Sequence, residues 1–175
     1  MQNSGAPAMP GFTAPAGWTQ VRRLDHATDT ALLVYWHTAT AVEPTSYTWQ
    51  FSAQIEGVAW ISCYANVDPS SPIDAEAGLV DSTAGPAYAT PSITTTAPNA
   101  MLVATFVSHL ATPPTTWSGS AGTTVRASFN NGTSRSGLGE DQLVAATGPT
   151  GARMATASSP QDYALVHVLA LRPLP

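Results

Sequence analysis

Lysine is absent from this sequence; its six cations are all arginines, set against eleven acids for a net charge of −5. Charged residues make up 10% of the chain, where about 25% is usual. So few cations form no basic stripe, so no nucleic-acid binding by counterion release is expected. Electrostatic anchoring to an anionic membrane is excluded on the same ground. The single cysteine, Cys63, rules out an internal disulfide framework and any CxxC zinc set. Within "GVAWISCYANV" that thiol is expected to be a small buried hydrophobe. No apolar run reaches the roughly 18 residues that a spanning helix needs. The opening "MQNSGAPAMPGFTAPAG" has neither a positive n-region nor an apolar h-region, so no secretory signal is expected there.

The 175 residues suit one domain with a short extension. Residues 1–17 hold three Pro and three Gly and almost nothing to bury, so they cannot offset their own ordering entropy. They are read as an extended arm held by a neighbouring subunit or, second, by the domain's own surface, and residues 18–175 as the folded domain. From Trp18 the pattern is β. "WTQVRRL" and "TALLVYWHTA" read as strands, and "SYTWQFSAQ" alternates cleanly, with Tyr47, Trp49 and Phe51 on one side. That aromatic row, with Trp36, is expected in a sandwich core. "GVAWISCYANV" places Val58, Trp60, Ser62 and Tyr64 opposite Ala59, Ile61 and Cys63. "NAMLVATFVSHL", "TTVRASF", "EDQLVAATG" and "DYALVHVLALRP" follow, β-branched and aromatic as strands require. Asn131-Gly132 marks a hairpin turn, where positive φ costs little; the same Asn131-Gly132-Thr133 also fits a glycosylation sequon. Helix is expected only as one short turn in "SSPIDAEAGLVD", opened by Pro72 and ended by Gly78. About eight to ten strands joined by Pro- and Gly-rich loops predict an all-β fold, a two-sheet antiparallel β-sandwich or jelly roll.

The order of segments carries a resemblance. "APAGWTQVRR", "ALLVYWHTA", "EPTSYTWQFS", "VDPSSPIDA", "TTTAPNAMLVATF" and the closing "DYALVHVLALRP" together resemble jelly-roll, concanavalin-like sandwich modules of bacterial extracellular and phage virion proteins. The similarity spans residues 15–173 as a pattern; Glu43-Pro44, Val67-Asp68, Pro72-Ile73-Asp74 and Leu171-Arg172-Pro173 match best. What it implies is the fold, with adhesion, carbohydrate binding and shell building all hosted by such modules.

Chemistry-bearing groups form no recognisable catalytic pattern. His26, His37, His109 and His167 show no HxH or HExxH spacing, so no metal site is expected. No G-x-S-x-G elbow presents a nucleophilic serine. Glu43, Glu56, Asp68, Asp74 and Glu76 fall mostly in loop-like segments and show no strand alternation suited to a glycosidase pair. Asn66, Asp68, Asp74 and Glu76 are oxygen donors without EF-hand spacing, better read as turn and cap residues. The expectation is therefore a non-enzymatic structural protein of a virion, most specifically a capsid decoration protein. It would need no cofactor and would bind subunits of a larger assembly, as a homo-oligomer. The alternative is a carbohydrate-binding or adhesive module, on a phage tip or extracellular, in which Trp60, Tyr64, Tyr88 and Trp117 stack on sugar rings.

Overall fold

A computed structural model describes residues 9–109 and 115–175. Residues 1–8 of the expected arm lie outside the described residues. The described residues contain strands and no helix, arranged in several antiparallel sheets. The chain divides into two compact units, Met1–Gly57 and Val58–Pro175.

The first unit contains β1 (Phe12–Thr13), β2 (Thr19–His26), β3 (Thr30–Trp36) and β4 (Gln50–Phe51). β2 and β3 form a hairpin from Thr19↔Trp36 to His26↔Thr30. It closes through Ala27 at φ 48° and a bond from the Asp29 amide to the His26 carbonyl. Phe12 and Thr13, assigned to the arm by the sequence reading, pair with Phe51 and Gln50 of the chain's own β4. The clean alternation around Trp49 yields only the two residues of β4 as strand. Its aromatic side chains are half-buried or, for Phe51, 41% exposed, and none is fully buried.

The second unit holds β5 (Ile73–Asp81), β6 (Gly85–Ala89), β7 (Thr94–Thr95), β8 (Ala100–His109), β9 (Trp117–Ser118), β10 (Thr124–Asn130), β11 (Arg135–Val144), β12 (Gly148–Pro149), β13 (Met154–Gln161) and β14 (Tyr163–Leu171). Its pairings nest: β5 with β14, β6 with β13, β7 with β12 and β8 with β11. Lateral pairs then build a five-stranded sheet, β10-β11-β8-β14-β5, and a three-stranded sheet, β6-β13-β9, while β7 and β12 form a separate two-stranded sheet. Ala100, Leu102, Ala104 and Phe106 of β8 alternate inward with Leu138 of β11 and Ala164, Val166, Val168 and Ala170 of β14. Register explains this: Phe106 lies opposite both Leu138 and Val166, and Leu102 opposite Ala170. From the other sheet Tyr88, Trp117, Ala155 and Ala157 complete one core. The many alanines leave room for three large rings, Phe106, Trp117 and Tyr88, to interlock at centroid distances of 6.0 and 6.2 Å, as close packing demands.

The short helix expected near Pro72 is strand β5 instead. Ala, Glu and Asp favour no strand, but Ala75, Ala77 and Leu79 register against Ala170, Val168 and Val166. Pairing along the full length of a central strand overrides weak local preference. The Asn131-Gly132 turn is present as a four-residue connection between β10 and β11, with Gly132 at φ +76°, a conformation glycine adopts without strain.

Candidate binding surface

The four aromatic residues expected to stack on a ligand separate into two pairs. Tyr88 and Trp117 are 2% and 7% exposed, their rings held between the sheets, so neither offers a face to a sugar. Their polar atoms are used internally. Tyr88 donates to the carbonyls of Thr83 and Gln161 at 3.0 and 3.1 Å. The Trp117 indole donates to Ser136 Oγ at 3.0 Å. Burial, with the Asp81 charge nearby, pushes the Tyr88 phenol up to about 12. Period-two reading cannot distinguish the core face from the solvent face when Thr, Ser and Ala occupy both, which is why the sequence left these two open.

Trp60 and Tyr64, in contrast, come together on the outer face of the five-stranded sheet. Residues 57–64 form no strand, yet Val58, Trp60 and Tyr64 are half-buried while Ala59, Ile61 and Cys63 are exposed; Ser62, expected on the side of Trp60, is exposed as well and breaks the alternation. Cys63 is thus an exposed thiol, contrary to expectation, because it lies on the side of the segment opposite Trp60 and Tyr64, which contact β11. Trp60 lies over Gly139, where a Cβ would come within 2.7 Å of the indole nitrogen. Phe129 lies in the same way over Gly137, and the two rings meet at 5.0 Å. Glycine in β11 is what lets both rings rest on the sheet.

Beside this ledge sits a polar trio. Register shifts between Val125 and Ala127 in β10, and such a bulge re-aims the extra residue. That residue, Arg126, donates from Nε to Asp141 Oδ2 at 2.6 Å. The same oxygen accepts the Tyr64 hydroxyl at 3.0 Å. Asp141 is 2% exposed and Arg126 51%. Burial, reinforced by the Asp141 charge, raises the Tyr64 phenol to about 12, so it remains a neutral donor. The arrangement offers an aromatic ledge next to a half-exposed guanidinium anchored by a buried carboxylate. Sequence reasoning missed Phe129, Arg126 and Asp141, because only the pairing of β10 with β11 brings them to Trp60.

A second aromatic surface belongs to the first unit. Phe12 stacks on Trp49 at 5.1 Å, and Trp18 stacks on His37 at 5.4 Å. Tyr47 and Trp49 meet Trp18 edge-on. At its polar end Glu43 accepts bonds from the Tyr47 hydroxyl and the Thr40 amide, and His37 Nε2 lies 3.4 Å away. The Tyr47 bond first, then those from Thr40, hold the Glu43 carboxyl down at about 2. The rings touch one another on several sides, as in a small core, and the hollow beneath Phe12, Phe51 and Leu33 measures about 10 Å³, room for about one water.

The remaining acids and histidines have structural partners. Asp74 accepts from the Thr96 amide and hydroxyl at 2.6 and 2.5 Å and from Arg172 at 2.6 Å. Burial pushes its pKa up, but the Thr96 and Ala97 bonds and the Arg172 charge outweigh it, and the carboxyl stays below its ordinary value. Glu140 accepts from the Ser120 amide, the Ser120 hydroxyl and Thr123. His167 lies 3.0 Å from Glu76, and His109 lies 3.3 Å from Asp162. Asp68 accepts from the Ser70 amide and hydroxyl, an Asx-type turn as read from the sequence. Among the described residues no three His, Cys, Asp or Glu side chains gather as metal ligands would. Comparison of the chain with protein-family models, with curated proteins and with solved structures found no match.

Proposed function

We propose that this chain is a non-enzymatic structural protein that works by surface contact, specifically a decoration protein on a virion shell, present as a homo-oligomer. The observation that carries this reading is how the fold uses its polar and apolar groups. The buried carboxylates Asp74, Glu140 and Asp141 are each engaged by the fold's own loops and arginines. Meanwhile Ile61, Val125, Leu143 and Met154 stand 46–62% exposed on a surface with few charges. Apolar surface favours contact with protein where it is contiguous, and charge depletion marks the centre of interfaces. The nested pairing β5·β14, β6·β13, β8·β11 supports a jelly-roll connectivity, in which one long folded-back ribbon is rolled into two sheets.

Two measurements test the proposal. Sedimentation of the purified chain should give a closed oligomer, shifted toward monomer in Ile61→Asp and Met154→Asp variants that keep their β spectrum. Antibody against the chain should label sedimentable, virus-sized particles from the producing culture. A strict monomer at high concentration, with label confined to the soluble fraction, would overturn it.

One observation favours a second reading, carbohydrate recognition. The Trp60–Phe129 ledge beside Arg126, Asp141 and Tyr64 combines a ring face with charged hydrogen-bonding groups, the chemistry of sugar stacking sites. Saturable binding on a glycan array, lost in both Trp60→Ala and Arg126→Ala, would replace the structural reading with this one.

A further inference from the structure

We propose that Asn131–Gly132, at the tip of the β10–β11 hairpin, is a primed deamidation site whose reaction is gated by the side chain of Asn130. The chemistry needs no partner. The Gly132 backbone nitrogen gives up its proton and attacks Cγ of Asn131; a C–N bond forms, the Cγ–Nδ2 bond breaks, and the side-chain nitrogen takes up a proton and leaves as ammonia. Water then opens the resulting succinimide at either carbonyl, leaving aspartate or isoaspartate at position 131.

The electrophile is polarised. Asn131 Oδ1 accepts the backbone N–H groups of Thr133, Ser134 and Arg135 at 3.1, 3.0 and 2.9 Å. Three amides converge on the oxygen where negative charge grows during the attack, as donors do in an oxyanion hole. Glycine as the following residue adds no Cβ to obstruct cyclisation. The nucleophile, however, is occupied. Gly132 N–H donates to Asn130 Oδ1 at 3.2 Å, and a proton held in a hydrogen bond is harder to remove. The hairpin thus activates one partner in the reaction and restrains the other. Asn130 is a positioning residue here: it touches the attacking nitrogen's proton and takes no part in bond making.

The product would have a structural readout. The Asn131 amide donates to the Arg135 carbonyl at 2.9 Å and closes the hairpin. Isoaspartate lengthens the main chain by a methylene and adds a charge, so this closure and the three caps would be lost together. The modified protein would carry an opened β10–β11 tip.

The test follows deamidation of the purified full chain at mildly alkaline pH by peptide mapping, with the free peptide SFNNGTSR as reference. The folded chain should react more slowly than the peptide. Asn130→Ala should speed the folded chain by about tenfold, the rate equivalent of one hydrogen bond's net worth. Asn130→Asp, which keeps the acceptor, should stay slow. A folded chain as fast as the peptide would overturn the proposal, as would an unchanged rate in Asn130→Ala or equal acceleration in both variants. Amide exchange at Asn131 and Arg135 is read alongside. Acceleration in Asn130→Ala with lost protection there would also overturn it, because the whole turn rather than Asn130 would then be in control.

Discussion

At the scale of single residues, the groups that matter most are carboxylates with several donors. Asp74 is fully enclosed and ties the start of β5 to Thr96, Ala97 and Arg172 near the chain's end. Removing such a charge leaves Arg172 and two amides unanswered. Asp74→Ala should therefore cost about 3–5 kcal/mol in urea unfolding. The exposed Arg23–Asp25 pair at 2.8 Å gives the contrast, and Asp25→Ala should cost under about 1 kcal/mol. Neither partner of Asp74 was legible beforehand, because Thr96 and Arg172 lie 22 and 98 positions away. Asp68 was legible, because its partner Ser70 is local. The same logic separates the histidines: their types and positions were readable, whereas the acids 91 and 53 residues away that face His167 and His109 required the fold.

At the scale of elements, glycines decide what lies on the five-stranded sheet. Gly139→Ala would place a methyl within 2.7 Å of the Trp60 indole. It should destabilise the protein by about 1–3 kcal/mol, as overpacking does. Trp60 fluorescence should shift, and Trp60→Ala should abolish the penalty in a double-mutant cycle. Strand position sets a second expectation. β8 and β14 are flanked on both sides and carry buried residues along nearly their whole length. Among the described residues β1 and β4 are two-residue strands paired only with each other. Amide exchange should accordingly be slowest in β8 and β14 and fastest in β1 and β4; uniform protection would contradict this. The long strands were readable from β-branched runs such as "MLVATFV" and "YALVHVLAL". β5 was not, since its Ala and Glu resemble helix formers until β14 is placed beside them. Residues 58–61 show the reverse case, an alternation of burial with no strand, because alternation records which side is covered and not whether the backbone is paired.

At the scale of the whole molecule, acid should weaken both units. Glu43 in the first and Asp74 in the second have depressed carboxyls. A depressed group contributes its full stabilisation above its unfolded value and loses it as pH falls through its folded one. For Glu43 that window runs from its ordinary 4.5 down to about 2, and Asp74 titrates below its ordinary 3.8. Melting temperature should fall as pH drops below 4.5, with a smaller fall in Glu43→Gln. A melting temperature that rises on acidification would refute this. What the sequence alone determined is the all-β class, the Asn131-Gly132 turn and the strands richest in β-branched residues, because these follow from side-chain sterics and periodicity within a few residues. Tertiary structure alone decided that β5 is a strand, that Tyr88 and Trp117 are core, and that Trp60 joins Phe129, Arg126 and Asp141. Each depends on nested pairing between segments far apart in the chain, and no local preference encodes which distant strand will arrive.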